Sequence, residues 1–343
     1  MTRRRINLAL QGGGAHGAFT WGVLDRLLED DSIEIAAISG TSAGALNGAA
    51  LKAGLAADGP DGARANLDSL WARVGGIGGK AVSSWMSLAG PAFLSRALES
   101  SPPYAAIEAM AGLFSPYDSG AFYTNPLTPI VEQFRYDKIC GAAGPPLHIC
   151  ATNVRSGKIR VFTGNEIGVA PILASACLPT LFRAVEIPDP ITGKVEAYWD
   201  GGYTGNPTLY PLFEASLPAD IVIVNINPLH REELPRTTRQ IQNRINEIGF
   251  NTSLLRELRA IAFAQRLLAD GLTPAGGLKE VFIHMIADDV LMNQLSVATK
   301  SIALPSILAE LKRAGRAAAH DFLTSHGEKI NIQGSVDLDA MFA

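Results

Sequence analysis

The sequence predicts an α/β protein built on a mainly parallel sheet with helices on both faces. Three observations carry this. Two short strand candidates within the first 40 residues each pass through a glycine turn directly into a helix. Most strand candidates are continuous apolar runs, the pattern of strands buried on both faces. The composition supplies core for a layered fold: of 343 residues, 47% are hydrophobic and only 18% charged.

In chain order, residues 6–10 form the first strand. The helix after it sets Val23, Leu24, Leu27 and Leu28 on one face, with Asp25, Arg26, Glu29 and Asp30 turned away from it. A second strand is expected at 33–38 and a second helix at 43–57. Further strands are expected at 147–152, 159–162, 197–199, 221–226 and 281–286, each apolar and bounded by turn residues. Residues 236–270 read as one long helix, or two with a break near Gly249. Its arginines outnumber its acids, which fits a solvated face and, as the second option, a face lying on anionic lipid. Residues 302–325 form a last amphipathic helix.

Residues 75–123 differ. They are rich in Gly, Ser, Pro and Ala, carry few charges and have no clean period, with Trp85, Met86, Leu88, Phe93, Leu94, Leu98 and Tyr104 among them. They read either as an irregular insertion packed on the core or as a lid that admits an acyl chain. The whole of 1–343 is expected to be one α/β domain, with 75–123 as its insertion and 236–343 as a mostly helical part packed on the core.

Composition excludes several classes. Lys+Arg 29 against Asp+Glu 33 gives a net charge of −4, so nucleic-acid binding through bulk positive charge is not expected. Three cysteines without metal-ligand spacing exclude a disulfide scaffold, and Cys150, inside an apolar run, reads as a buried reduced thiol. Arg3, Arg4 and Arg5 are followed by too short an apolar stretch for a signal peptide, and no run has the purity of a membrane span. The expectation is a cytoplasmic protein, with peripheral contact to a membrane left open.

Three motifs carry chemistry. Gly12-Gly13-Gly14-Ala15-His16-Gly17 follows a strand and opens a helix, so several backbone N–H groups face one point and favour an anion. It suits either a phosphate loop or an oxyanion hole. No acidic residue ends the next strand to hold a ribose, and the P-loop Lys is missing. Gly40-Thr41-Ser42-Ala43-Gly44 has the G-x-S-x-G pattern of a nucleophile elbow, again between strand and helix, with glycines where a Cβ would clash. Trp199-Asp200-Gly201-Gly202 ends a strand. It is either a turn or the site of a base for Ser42. His230 and His284 follow Asp200 in the order of a hydrolase triad, but neither has a persuasive context, so a Ser–Asp pair is preferred.

These motifs, with Ala174-Ser175-Ala176-Cys177-Leu178-Pro179 between them, make the chain from about Ile6 to Pro207 resemble the patatin-like phospholipases. The resemblance implies a three-layer α/β/α fold and cleavage of fatty-acyl esters of phospholipids or lysophospholipids. It implies Ser42 as nucleophile, Asp200 as base, and an oxyanion hole from Gly12, Gly13 and Gly14. His16, Gly40, Gly44, Gly201 and Gly202 would support them, with no cofactor and no metal. The family usually has Arg or Lys where this chain has His16. That change makes a fixed cation titratable, or leaves His16 merely to orient the loop. The implied partner is a lipid or acyl ester. An acyltransferase using the same acyl-enzyme, and a lipid-binding protein with an inert dyad, are the alternatives.

Overall fold

The computed structural model describes residues 3–77, 91–99, 101, 115–272 and 277–342. Among the described residues the strands are β1 (Arg4–Leu10), β2 (Ile33–Thr41), β3 (Leu147–Asn153), β4 (Ile159–Thr163), β5 (Val185–Asp189), β6 (Lys194–Asp200), β7 (Asp220–Val224) and β8 (Phe282–Ile286). They form one sheet in the order β5-β6-β3-β2-β1-β7-β8, with β4 paired to β3. From β3 to β8 neighbouring strands on this path run parallel, while β4, β5 and β6 extend the β3 end in antiparallel pairing. Sequence pattern does not reveal β5. Its Glu186, Pro188 and Asp189 break any apolar run, because it is an edge strand with Glu186 and Pro188 toward solvent.

Alternation along the central strands fills two cores. Ile6, Leu8 and Leu10 of β1, with Val222 and Val224 of β7, join the larger one; Ala9, Ile221 and Ile223 join the smaller. The first face is covered by α1 (Ala18–Leu27), α2 (Ala43–Ile77) and the helix Pro305–His326; the second takes Leu254, Leu258 and Ile261 from the helix Thr238–Ala269. This is a three-layer α/β/α arrangement. Helix α1 and the Pro305–His326 helix approach backbone to backbone: a Cβ on Gly22 would overlap the Lys312 carbonyl, and one on Gly315 that of Phe19.

Three local expectations change. Asp25 does not face solvent. It is buried where Arg64 (2.7 Å) and Arg316 converge on it, so the helix sequence pattern is overridden by ion pairing across two other helices. The second helix continues past residue 57 through a kink at Asp58 and Gly59 to Ile77. Gly249 does not break the Thr238–Ala269 helix; it lies exposed within it, with nothing for a side chain to meet.

Candidate active site

The carboxyl ends of β1, β2 and β7 come together, the usual place for a ligand in a parallel sheet. The glycine turn follows β1 and the elbow follows β2. Ser42 sits in the left-handed region, at φ 55°, where a non-glycine residue is strained. The surroundings hold it there. Its N–H donates to Ser175 Oγ at 2.9 Å, and that hydroxyl donates to the Cys150 carbonyl at 2.6 Å. Its own carbonyl accepts from Ala45 and Leu46 at the start of α2. The two elbow glycines are needed for packing. A Cβ on Gly40 would stand 2.5 Å from the Gly44 carbonyl oxygen, and one on Gly44 would overlap the Leu10 carbonyl.

Register brings Asp200 to the elbow. Thr41, the last residue of β2, pairs with Cys150, and Asp200, the last residue of β6, pairs with Ala151 on the same strand. Where β2 leaves β3 to enter the elbow, β6 takes up the next position along it. The Asp200 N–H donates to the Cys177 carbonyl at 2.8 Å, and the Thr152 hydroxyl donates to the Asp200 carbonyl at 2.8 Å. Asp200 is 2% exposed. Burial pushes its carboxyl pKa up to about 7, against the Gly202 amide (2.8 Å) and the Ser42 side chain, whose hydrogen bonding pulls it down. Phe250, from the Thr238–Ala269 helix, lies where a Cβ of Gly202 would project.

The glycine turn is pinned by two asparagines. Gly12 N–H donates to Asn206 Oδ1 at 2.6 Å, while its carbonyl accepts from Asn227 Nδ2 at 2.8 Å and Asn206 Nδ2 at 3.3 Å. The Gly12 amide, expected from the sequence among the oxyanion donors, is therefore already bonded within the protein. Gly13 and Gly14 stand at the start of the turn Gly14–Gly17, where amides lack intrahelical acceptors. Gly14 has φ +58°, and a Cβ there would overlap the Lys300 carbonyl.

His16 does not present an exposed, titratable cation. It is buried, and Nε2 contacts Thr299 Oγ1 at 2.8 Å. Desolvation, then the charges of Lys300 and Arg231, hold its pKa well below 6.5, so it is neutral at physiological pH. Neither His230 nor His284 completes a triad. His230 is exposed beside Glu232, and His284 is buried between Asp220 (3.0 Å) and Ser335 (3.1 Å). Among the described residues no cluster of three His, Cys, Asp or Glu side chains is placed to hold a metal ion. Cys150 and Cys177 are buried thiols pushed up to about 12 by burial.

Asn206, Asn227, Thr299 and Lys300 are the residues sequence reasoning missed. Asn206-Pro207 and Asn227-Pro228 offered one signal: each is an Asn-Pro step that reads simply as a turn. Within 75–123, Trp85, Met86, Leu88 and Tyr104 lie outside the described residues, so the lid reading does too. The described pieces are anchored. Leu94 is buried, Ser95 Oγ accepts from Ser296 N–H at 2.9 Å, and the Arg183 guanidinium grips the Gly120 carbonyl (2.6 Å) and stacks on Tyr123.

Among solved structures, VipD from Legionella pneumophila is similar at 16% identity and a TM-score of 0.44, with 94% of this chain and 67% of VipD covered. A chain of the ExoU–SpcU complex of Pseudomonas aeruginosa is similar at 13% identity and a TM-score of 0.30, covering 90% of this chain and 53% of that one. A second structure of that complex gives 17% identity and a TM-score of 0.31, over 99% and 65%. No curated protein matches. The family model of patatin-like phospholipases matches residues 8–213. Because that match begins in β1 and ends beyond Asp200, taking in the glycine turn, the elbow and the end of β6, the chain belongs to the patatin-like phospholipases.

Proposed function

We propose that this protein is a lipid acyl hydrolase of phospholipase A or lysophospholipase type, working through a Ser42–Asp200 dyad. The observation that carries the reading is the buried Asp200 carboxyl beside Ser42, with its pKa raised to about 7. An aspartate at its ordinary pKa is a poor base for a serine hydroxyl; one tuned toward neutrality is better matched to the task. Asp200 takes the Ser42 proton as Oγ attacks the ester carbonyl. The oxyanion is received by the Gly13 and Gly14 amides and the N-terminus of α2, each such donor worth about 2.7–4 kcal/mol of barrier. Asp200 then protonates the leaving alcohol, and water activated by the same carboxylate releases the fatty acid.

Peripheral contact with a lipid surface is part of this proposal. Ile241, Ile245 and Ile248 are 44%, 56% and 52% exposed and recur along one stretch of the Thr238–Ala269 helix. That helix continues into Phe250, which packs on Gly202 and contacts the Tyr203 ring at 5.2 Å. The apolar stretch thus leads to the edge of the catalytic turn. No described helix is long and apolar enough to cross a membrane.

The test is release of fatty acid from lysophosphatidylcholine and phosphatidylcholine by the wild type and Ser42→Ala. Loss of all turnover in the variant supports the reading. Turnover equal to the wild type removes it. Transfer of the acyl group to added glycerol in preference to water would reassign the same acyl-enzyme to an acyltransferase.

A further inference from the structure

We propose that Lys300 and Asn227 form a positioning relay that aims and polarises the peptide donating to the oxyanion. The inference rests on the Ser42–Asp200 reading above. Lys300 Nζ donates to Asn227 Oδ1 at 2.9 Å, and Asn227 Nδ2 donates to the Gly12 carbonyl at 2.8 Å. The Gly12 carbonyl and the Gly13 N–H belong to one planar peptide, pointing in opposite directions. Grip on the carbonyl from behind therefore sets the direction of the Gly13 N–H in front. Burial lowers the Lys300 pKa while Glu247, 4.0 Å away, supports its charge; in either state Nζ can donate, which fixes the amide of Asn227 with its oxygen toward Lys300 and its nitrogen toward Gly12.

Chains of hydrogen bonds polarise one another, more so away from water. A donor at the head of this chain draws electron density from the Gly12 carbonyl and makes the Gly13 N–H a stronger donor as negative charge develops. The relay is built into the fold. The Lys300 backbone carbonyl lies against Gly14, His16 contacts the neighbouring Thr299, and Lys300 Nζ is 4.0 Å from Glu247, which Arg231 (2.6 Å) and Arg244 (3.3 Å) also hold. Removing the lysine charge thus leaves Glu247 paired. The Asn227 amide gains a second anchor by donating to Gln11 Oε1 at 3.2 Å, and the Gln11 side-chain amide reaches the Asn206 carbonyl at 3.2 Å.

The experiment compares wild type, Lys300→Met, Lys300→Arg, Asn227→Ala and the Lys300→Met/Asn227→Ala pair, each checked by circular dichroism. The readouts are kcat and KM on a soluble acyl ester and inhibition by an acyl trifluoromethyl ketone, which forms a tetrahedral oxyanion on serine. The expected result is a loss of roughly 10- to 100-fold in kcat for Lys300→Met, with KM within about twofold. The ketone should weaken in parallel, Lys300→Arg should recover most of the loss, and the double variant should be no worse than Asn227→Ala alone. A folded Lys300→Met with wild-type kcat, or a loss confined to KM, overturns the inference. Should Lys300→Met not fold, Asn227→Ala decides, since it cuts the same relay with Lys300 in place; wild-type kcat there overturns it equally. If Ser42→Ala is inactive while these variants are unimpaired, only the relay fails. If Ser42→Ala is active, the dyad fails first.

Discussion

Thr41 and Asp200, which end two different strands, occupy successive positions along β3: Thr41 opposite Cys150 and Asp200 opposite Ala151. This register brings a residue near position 40 and one near position 200 to neighbouring positions on one strand. It also explains why Ser175 matters. The hydroxyl that receives the Ser42 N–H is itself bonded to the Cys150 carbonyl on that same strand.

Asp200→Asn should remove turnover and stabilise the fold at alkaline pH. In the folded chain the carboxyl binds its proton more tightly than at its ordinary 3.8, so its contribution to stability is greatest below about pH 4 and declines as pH rises to about 7. Asparagine has no charge to bury. The expected gain over wild type is on the order of 4 kcal/mol at pH 8, becoming small near pH 4. Glu257, also pushed to about 7 by burial, adds its own decline to both proteins and cancels in the difference. Urea unfolding at the two pH values measures this; an equal gain at both would assign the effect to packing.

If Asp200 serves as the base in its unprotonated form, as proposed, kcat/KM on a neutral ester should fall with unit slope as pH drops below about 7. Neutral His16 adds no limb of its own near 6.5. A profile flat from pH 5 to 8 contradicts the assignment of Asp200 as base.

Ser175→Ala should cost about 1–3 kcal/mol of stability, because it strands the Ser42 N–H and the Cys150 carbonyl in the interior. It should lower kcat more than KM, since Ser42 relaxes from its strained conformation. Ser175→Thr, which restores an oxygen, separates the two effects. If Ser175→Ala leaves both stability and kcat intact, the elbow needs no such support.

Gly12→Ala places a Cβ 2.6 Å from the Ser42 Cβ and 2.8 Å from the Thr41 carbonyl oxygen. Either the turn or the elbow must move. Overpacking of this kind typically costs about 1–3 kcal/mol, and here the displaced group is Ser42, the proposed nucleophile. The expected outcome is a folded protein whose Ser42 reacts far more slowly with a fluorophosphonate probe. Labelling at the wild-type rate would mean the turn yields without disturbing the site.

Ile245→Ser with Ile248→Ser should weaken sedimentation with phosphatidylglycerol-containing vesicles several-fold while leaving hydrolysis of a soluble short-chain ester near wild type, as both side chains are more than half exposed. Unchanged vesicle binding would return this helix face to ordinary solvent exposure.

The glycine motifs were legible because close backbone approach leaves a local mark: Gly40, Gly44, Gly201 and Gly202 all meet backbone, ring or carboxylate where a Cβ would stand. The central strands were legible because burial on both faces needs unbroken apolar runs, as in β7. Asp25, by contrast, has the look of a surface residue, and only Arg64 and Arg316 brought from other helices make it a buried one. Asn206, Asn227 and Lys300 act through partners some 70 to 200 residues away. Their own neighbours in sequence say nothing of that. His16 shows the same limit, since its neutrality is set by burial and by Lys300 and Arg231.

The central claim is that Ser42 carries the acyl group. Rapid acid quench of the wild-type protein during turnover of a p-nitrophenyl acyl ester, followed by mass spectrometry of its peptides, tests this most directly. The account predicts the added mass of the acyl chain on the peptide containing Ser42, and no adduct and no turnover in Ser42→Ala. Turnover in that variant, or an adduct on any other residue, would contradict it.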